Sequence, residues 1–270
     1  MSMKLNPLVL QILNVITVIA VILVNALANI LPINGITTGA VSDSYPNFFT
    51  PAGYVFAIWF IIYIQAIIFM IYQVRSSQRT APYLAQINIF YFLAGLANIA
   101  WIFVFHYSAN PINPPFLYGA TILLLLVFLL LLLTYVRLGI GKTAVSRSQR
   151  LAVHLHVSVY LAWLSVASIA GIASALNILI PGIPDPTQWI GTAVMLVIAL
   201  VLTLLMTYLR REFGFGLVVV WASIGIAVKH FLIPIISYTA ISVVVIGILA
   251  LILIPFIKKT GFVDYYCGPK

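Results

Sequence analysis

"FFTPAGYVFAIWFIIYIQAIIFM", Phe48 to Met70, opens with a helix-start signal and then stays apolar for longer than a soluble helix needs. Thr50 offers a capping hydroxyl, and Pro51 lacks the N–H that a first helical turn leaves unpaired. A bilayer core of ~30 Å is crossed by ~20 apolar residues in helix, because every backbone polar group must be bonded within the segment. The stretch has that length. Within it Phe56, Trp59 and Tyr63 are spaced i, i+3, i+7 and so share one face.

The rest of the chain repeats the pattern. Of 270 residues, 64% are hydrophobic and 6% charged, which no soluble fold of this size hides. About eight segments have membrane-spanning length, at roughly 8–32, 50–74, 81–106, 114–137, 152–177, 187–209, 213–231 and 234–257. Alternating strand patterns are absent, which argues against a barrel. The sequence therefore predicts an all-α integral membrane protein with about eight transmembrane helices.

The formal charge of +9 does not point to nucleic acid, because its placement is ordered. Lys4, Arg75, Arg79, Arg137, Lys142, Arg147, Arg150, Arg210, Arg211, Lys258, Lys259 and Lys270 fall at the termini or in alternate loops. By the positive-inside rule those loops and both termini are cytoplasmic, and the cell (inner) membrane is the expected location. The basic excess sets orientation and meets anionic lipid. The single cysteine, Cys267, excludes an intramolecular disulfide, and "YYCGPK" is a poor prenylation box. "GIGKT" at 139–143 lacks the spacing of a phosphate loop. The first apolar stretch exceeds that of a signal peptide and reads as a helix.

Two more helices carry a face like that of the second. Asn98, Trp101 and Phe105 form one; Tyr160, Trp163 and Ala167 form the other. Facing stripes of this kind line a pocket for a planar apolar ligand, or else simply pack a bundle core. Enzyme chemistry finds little support. The four acids sit in expected loops or helix ends, and no HExxH or Cys/His cluster occurs. His154 and His156, at i, i+2, point to different faces, and His106 and His230 fall at the outer boundary. No metal site is expected. Asn14, Asn25 and Asn29 share a face of the first helix, which suits interhelical hydrogen bonding. Lys229, the one basic residue at the outer side, is expected to snorkel to water, with Asp185 or an anionic ligand group as alternative partners.

"FTPAGYVFAIWFIIY" resembles the segment that opens the second helix of the TspO/translocator-protein (tryptophan-rich sensory protein) family, through Pro51, Gly53, Phe56, Trp59 and Tyr63. "ANIAWIFVF" resembles its third-helix motif and "VYLAWLSVASIAG" its fifth. Ala52 and Tyr54 depart from the usual Pro and Trp, and Gly171 stands where an asparagine is usual. The motifs cover residues 1–178, which the resemblance implies are a TspO-like five-helix transmembrane bundle. Residues 179–270 would then be a three-helix extension with a short cytoplasmic tail, after the proline-rich "LNILIPGIPDPTQWIG".

That resemblance implies a binding or sensory membrane protein, often a homodimer, with an aromatic pocket for a flat hydrophobic ligand such as a porphyrin or sterol. The cofactor is otherwise unknown, a tetrapyrrole ligand being the one the family suggests. The expected partners are the lipid bilayer and a hydrophobic small molecule, with no nucleic acid. Phe56, Trp59, Tyr63, Asn98, Trp101, Phe105, Tyr160 and Trp163 are the expected ligand-binding residues. Alternative readings are a transporter or permease component for a hydrophobic or amphipathic molecule, and a membrane enzyme acting on tetrapyrrole or lipid.

Overall fold

The computed structural model describes residues 6–268, so Lys4 and Lys270 lie outside the described residues. Eight long helices follow one another: α1 (Pro7–Ile30), α2 (Ile58–Gln73), α3 (Phe90–His106), α4 (Pro114–Arg137), α5 (Leu155–Leu179), α6 (Asp185–Arg210), α7 (Phe213–Lys229) and α8 (Pro234–Ile257). A short α9 (Phe262–Cys267) ends the described chain. Six of the segments are long and apolar enough to cross a bilayer, while α3 and α7 are apolar but shorter. No strand occurs among the described residues. Helix direction alternates, so the described basic loops gather at one end and Asp43, Asp185 and Lys229 at the other.

Burial follows hydrophobic patterning in a lipid sense. Residues such as Phe60, Ile122, Leu129 and Leu209 are exposed on the outside of the bundle, where lipid tails replace water. The helix buried nearly all round is α5, with an unbroken buried run from His156 to Leu164. It is the axis, packing against α2, α4 and α7. Between α1 and α3 the bond is polar: Asn25 donates through Nδ2 to Asn98 Oδ1 at 2.8 Å. Of the asparagine face only Asn25 makes the expected interhelical bond: Asn14 is buried with no hydrogen-bond partner among the described residues, and Asn29 is exposed and serves the loop beyond, accepting from Thr38 N at 3.3 Å.

Three boundaries differ from the sequence expectation. The predicted third helix, 81–106, is broken, because Asn88 takes a left-handed φ of 50° and its side chain accepts from Ile89 N at 2.8 Å. The carbonyls left by the resulting short helix, Pro82–Ile87, are met by Arg137, whose Nε donates to Gln86 O at 2.8 Å. The second helix does not begin at residue 50. A 3-10 turn at Gly53–Ala57 precedes α2, and its Val55 carbonyl, which accepts from Ile58 N, has a second lone pair for a donor from another helix. The fifth begins earlier than expected, through a π-helical turn at Arg150–His154.

Of the last three helices, α7 is the one sewn onto that 3-10 turn. Ala52 N donates to Gly225 O at 3.2 Å, and Trp221 Nε1 donates to Val55 O at 3.0 Å. Tyr54 meets the Trp221 ring edge-on at 5.5 Å between centroids. Gly225 makes the approach feasible, since a Cβ there would lie 2.2 Å from Val55 Cγ2. A proline at position 52 would lack the N–H and would push a ring carbon toward Gly225 O. The departure from the Pro-Pro pattern is therefore a docking feature for α7.

Candidate functional site

Trp59 is the centre of an aromatic cluster built by α2, α3 and α5. It stacks on Trp101 at 6.3 Å and on Tyr63 at 5.8 Å, and meets Trp163 and Tyr160 edge-on at 6.3 and 6.0 Å. Phe56 lies edge-on to Trp163 at 5.8 Å, and Phe105 stacks on Trp101 at 5.3 Å. Centroid separations of this size are those at which ring quadrupoles attract in offset or edge-to-face pairs. The i, i+3, i+7 spacing thus brings three helix faces together around one indole.

Spaces open on three sides of that indole. The first, about 70 Å³, is a narrow apolar slot bounded by Phe56, Trp59, Trp101, Phe105, Trp163 and Gly171 among others. The second, about 230 Å³, lies between α1 and the short helix Thr38–Asp43 and is bounded by Asn25, Asn29, Thr38, Phe56, Trp59 and Tyr63. The third, about 20 Å³, is enclosed by Tyr63, Tyr91, His156 and Tyr160. Of the eight expected residues, five line the slot. Tyr63 and Tyr160 stand behind Trp59, and Asn98 is committed to Asn25.

Polar handles near the rings are few but unspent. Trp163 Nε1, Tyr160 Oη and Asn98 Nδ2 are buried without a hydrogen-bond partner among the described residues. Buried donors of this kind are costly when left unpaired, so they suit a ligand acceptor or a bound water. The two histidines of α5 part company as their spacing requires. His156 Nε2 pairs with Tyr91 Oη at 2.8 Å and its ring stacks on Phe69, whereas His154 faces the basic end. His106 is fully buried, with Nδ1 on Ile102 O at 2.7 Å and Nε2 on Thr38 Oγ1 at 3.3 Å. Among the described residues no cluster of three or more His, Cys, Asp or Glu is arranged to hold a metal.

The outer lid of the slot was not read from sequence. Asn47 organises it: its Oδ1 accepts from Phe49 N and Thr50 N at 3.0 and 2.9 Å, while its Nδ2 donates to Thr50 Oγ1 and Ser174 Oγ at 2.7 and 2.8 Å. An asparagine bonding the backbone two and three residues on is a local turn signal that was available in "PNFFTP". Tyr45, buried beside it, donates to Ser108 O and ties the lid to the end of α3.

Beyond the lid, Ser42 and Thr50 also border a polar outer cavity of about 390 Å³, with Asn47, Asn177, Asp185, Gln188, Lys229 and His230. Lys229 is exposed at the end of α7, as expected of a lysine that snorkels to water, and its acidic neighbour there is Asp43 and not Asp185: Nζ lies 3.6 Å from Asp43 Oδ1, because Thr38–Asp43 folds as a helix that carries Asp43 over the end of α7.

An all-α membrane bundle with an aromatic centre under a polar mouth is the class that fold and site define. A family model described as TSPO-like protein matches residues 11–254, and the chain belongs to that family. The match runs beyond the motifs of the first 178 residues and reaches into α8. Comparison with curated proteins and with solved structures returns no match.

Proposed function

We propose that this protein is a membrane binding or sensory protein that takes a flat, largely apolar ligand of the porphyrin or sterol class between its indoles. The observation that carries the reading is that the apolar slot and the roomier space beside α1 share one wall, formed by Trp59 with Phe56 and Thr38. The slot alone is too small for a polycyclic ligand. Rotation of Trp59 joins the two spaces into one of roughly 300 Å³, the lower end of small-molecule pockets. A flat ring entering edge-on then replaces indole against Trp101 and Trp163, and finds the Trp163 Nε1 donor unpaired.

Polar substituents of such a ligand have somewhere to go, because the outer cavity shares Ser42 and Thr50 with the slot. The reading thus favours an amphipathic molecule with a rigid apolar body. In keeping with the positive-inside rule, the basic end faces the cytoplasm and this mouth faces away from it. Residues 1–178 form the binding unit and residues 179–270 brace it through the Ala52 and Trp221 contacts.

Saturable quenching of tryptophan emission by protoporphyrin tests the reading. Trp101→Phe and Trp163→Phe keep an aromatic body but lose area and a donor, so affinity falls while membrane insertion is retained. Trp189→Phe and Trp221→Phe should weaken binding less. Equal losses for all of these variants, or no saturable binding to the intact protein, would return the aromatics to bundle packing.

A further inference from the structure

At the basic end a separate cavity of about 160 Å³ lies where the π-turn before α5 meets the α6–α7 corner and α9. Arg150, Arg210, Arg211 and Glu212 line it, with His154 and Ser158 among the lining groups. Three guanidinium groups thus surround one carboxylate. Among the described residues, however, the sole ion pair is Lys229 with Asp43, so Glu212 is close-paired with none of them.

The donors around this space are tethered on one side and open on the other. Arg150 Nη1 donates to Tyr266 O at 3.0 Å, Arg210 Nη1 to Ile140 O at 3.1 Å, and the Arg211 guanidinium lies 5.1 Å from the Tyr265 ring centre. Arg150 Nε and His154 Nε2 are buried without partners, His154 being 4% exposed. Buried, unpaired donors converging on a space of this size, which holds several waters, are the makings of an anion site. The walls are fixed as well: Gly141 lies on the Arg210 backbone, where a Cβ would meet Arg210 O at 2.1 Å.

We propose that this cavity binds an oxyanion, either a free sulfate- or phosphate-like ion or the same group on a lipid head, and that Glu212 takes up one proton as the anion enters. An ionised Glu212 repels the anion, whereas its protonated carboxyl donates a hydrogen bond to it. The other groups facing the site are the three arginines, His154 on the π-turn, and Tyr266 and Cys267 of α9. Glu212 suits the role because burial pushes its carboxyl up to about 7, against the opposing pull of Ser158, Arg150 and Arg210.

The test is calorimetric titration of the full chain in neutral detergent with sulfate, whose charge is constant between pH 6 and 8, and with dihexanoyl phosphatidate. One proton taken up with a midpoint near 7 makes sulfate bind about tenfold more tightly at pH 6 than at pH 8. Glu212→Gln should bind at both pH values as the native chain does at pH 6, and Arg150→Gln should lose about tenfold. If Arg150→Gln fails to fold, the isosteric Glu212→Gln decides. Sulfate binding with this pattern supports a site for a free ion; phosphatidate binding without sulfate binding, weakened by Arg150→Gln and strengthened by Glu212→Gln, supports a lipid head. Binding of neither probe, or binding that ignores both substitutions, overturns the site. A pH dependence that survives Glu212→Gln overturns the role of that carboxyl.

Discussion

Replacing Gly225 with alanine adds one methyl group at the seam between α7 and the turn that opens α2. That carbon would lie 2.2 Å from Val55 Cγ2 and 3.0 Å from Pro51 Cβ. Apolar carbons rest ~3.5–4.0 Å apart, so α7 or the turn must give by roughly 1.5 Å. Val55 is fully buried, and the same turn is held by the Ala52 and Trp221 hydrogen bonds, so the strain has no loose side chain to absorb it. Overpacking of this kind costs about 1–3 kcal/mol. The displacement also reaches the aromatic slot, because Pro51 and Phe56 border it from either side of Val55. Gly225→Ala should therefore lower the thermal midpoint in detergent and weaken protoporphyrin quenching severalfold, while Gly191→Ala, which lies within α6 and meets nothing within 4 Å, should leave quenching unchanged and the midpoint unlowered. A Gly225→Ala chain with native midpoint and native affinity would refute the proposal that α7 braces the slot through this contact.

Further expectations follow from other contacts. Asn98→Ala removes the buried bond to Asn25, and in a bilayer or micelle should cost about 0.6 kcal/mol and at most about 1.7, read from unfolding midpoints. Glu212 is pushed up to about 7 by burial, above the unfolded range near 4.3, so its contribution to stability is complete at low pH and is lost as pH rises to 7. The loss is about 4 kcal/mol at most, and Glu212→Gln should flatten the pH dependence of unfolding between pH 5 and 7.5 relative to the native chain. Cysteines placed at exposed Asp185 and Ser146 should react with an impermeant reagent from outside at Asp185 only. Labelling of Ser146→Cys from outside would invert the orientation.

The eight helices were legible because length and hydropathy suffice to find a membrane span, and the tryptophan faces were legible because 100° per residue fixes a face. A face does not name its neighbour. The spacing put Asn98 beside Trp101 correctly, yet nothing in one dimension showed that Asn25 would claim its oxygen. Nor did it show that Trp59 would stand between the slot and Tyr63 and Tyr160. Asp185 was the acidic partner the sequence suggested for Lys229, and the six-residue helix that brings Asp43 there instead is too short to announce itself by periodicity. The break at Asn88 was hidden for a similar reason, since one residue at positive φ leaves the hydrophobic pattern on either side intact. Ala52 read as a loss of the family's pattern, and only the fold shows what its N–H does.

The central claim is that a flat apolar ligand sits against Trp59, Trp101 and Trp163, and photocrosslinking with a diazirine-bearing protoporphyrin, mapped by mass spectrometry, tests it most directly. Adducts should be confined to residues 51–63, 101–105 and 163–174 and be suppressed by excess unmodified porphyrin. Adducts spread over the lipid-facing residues of α6 and α8, such as Val197, Leu209 and Ile252, and unaffected by competitor would contradict it.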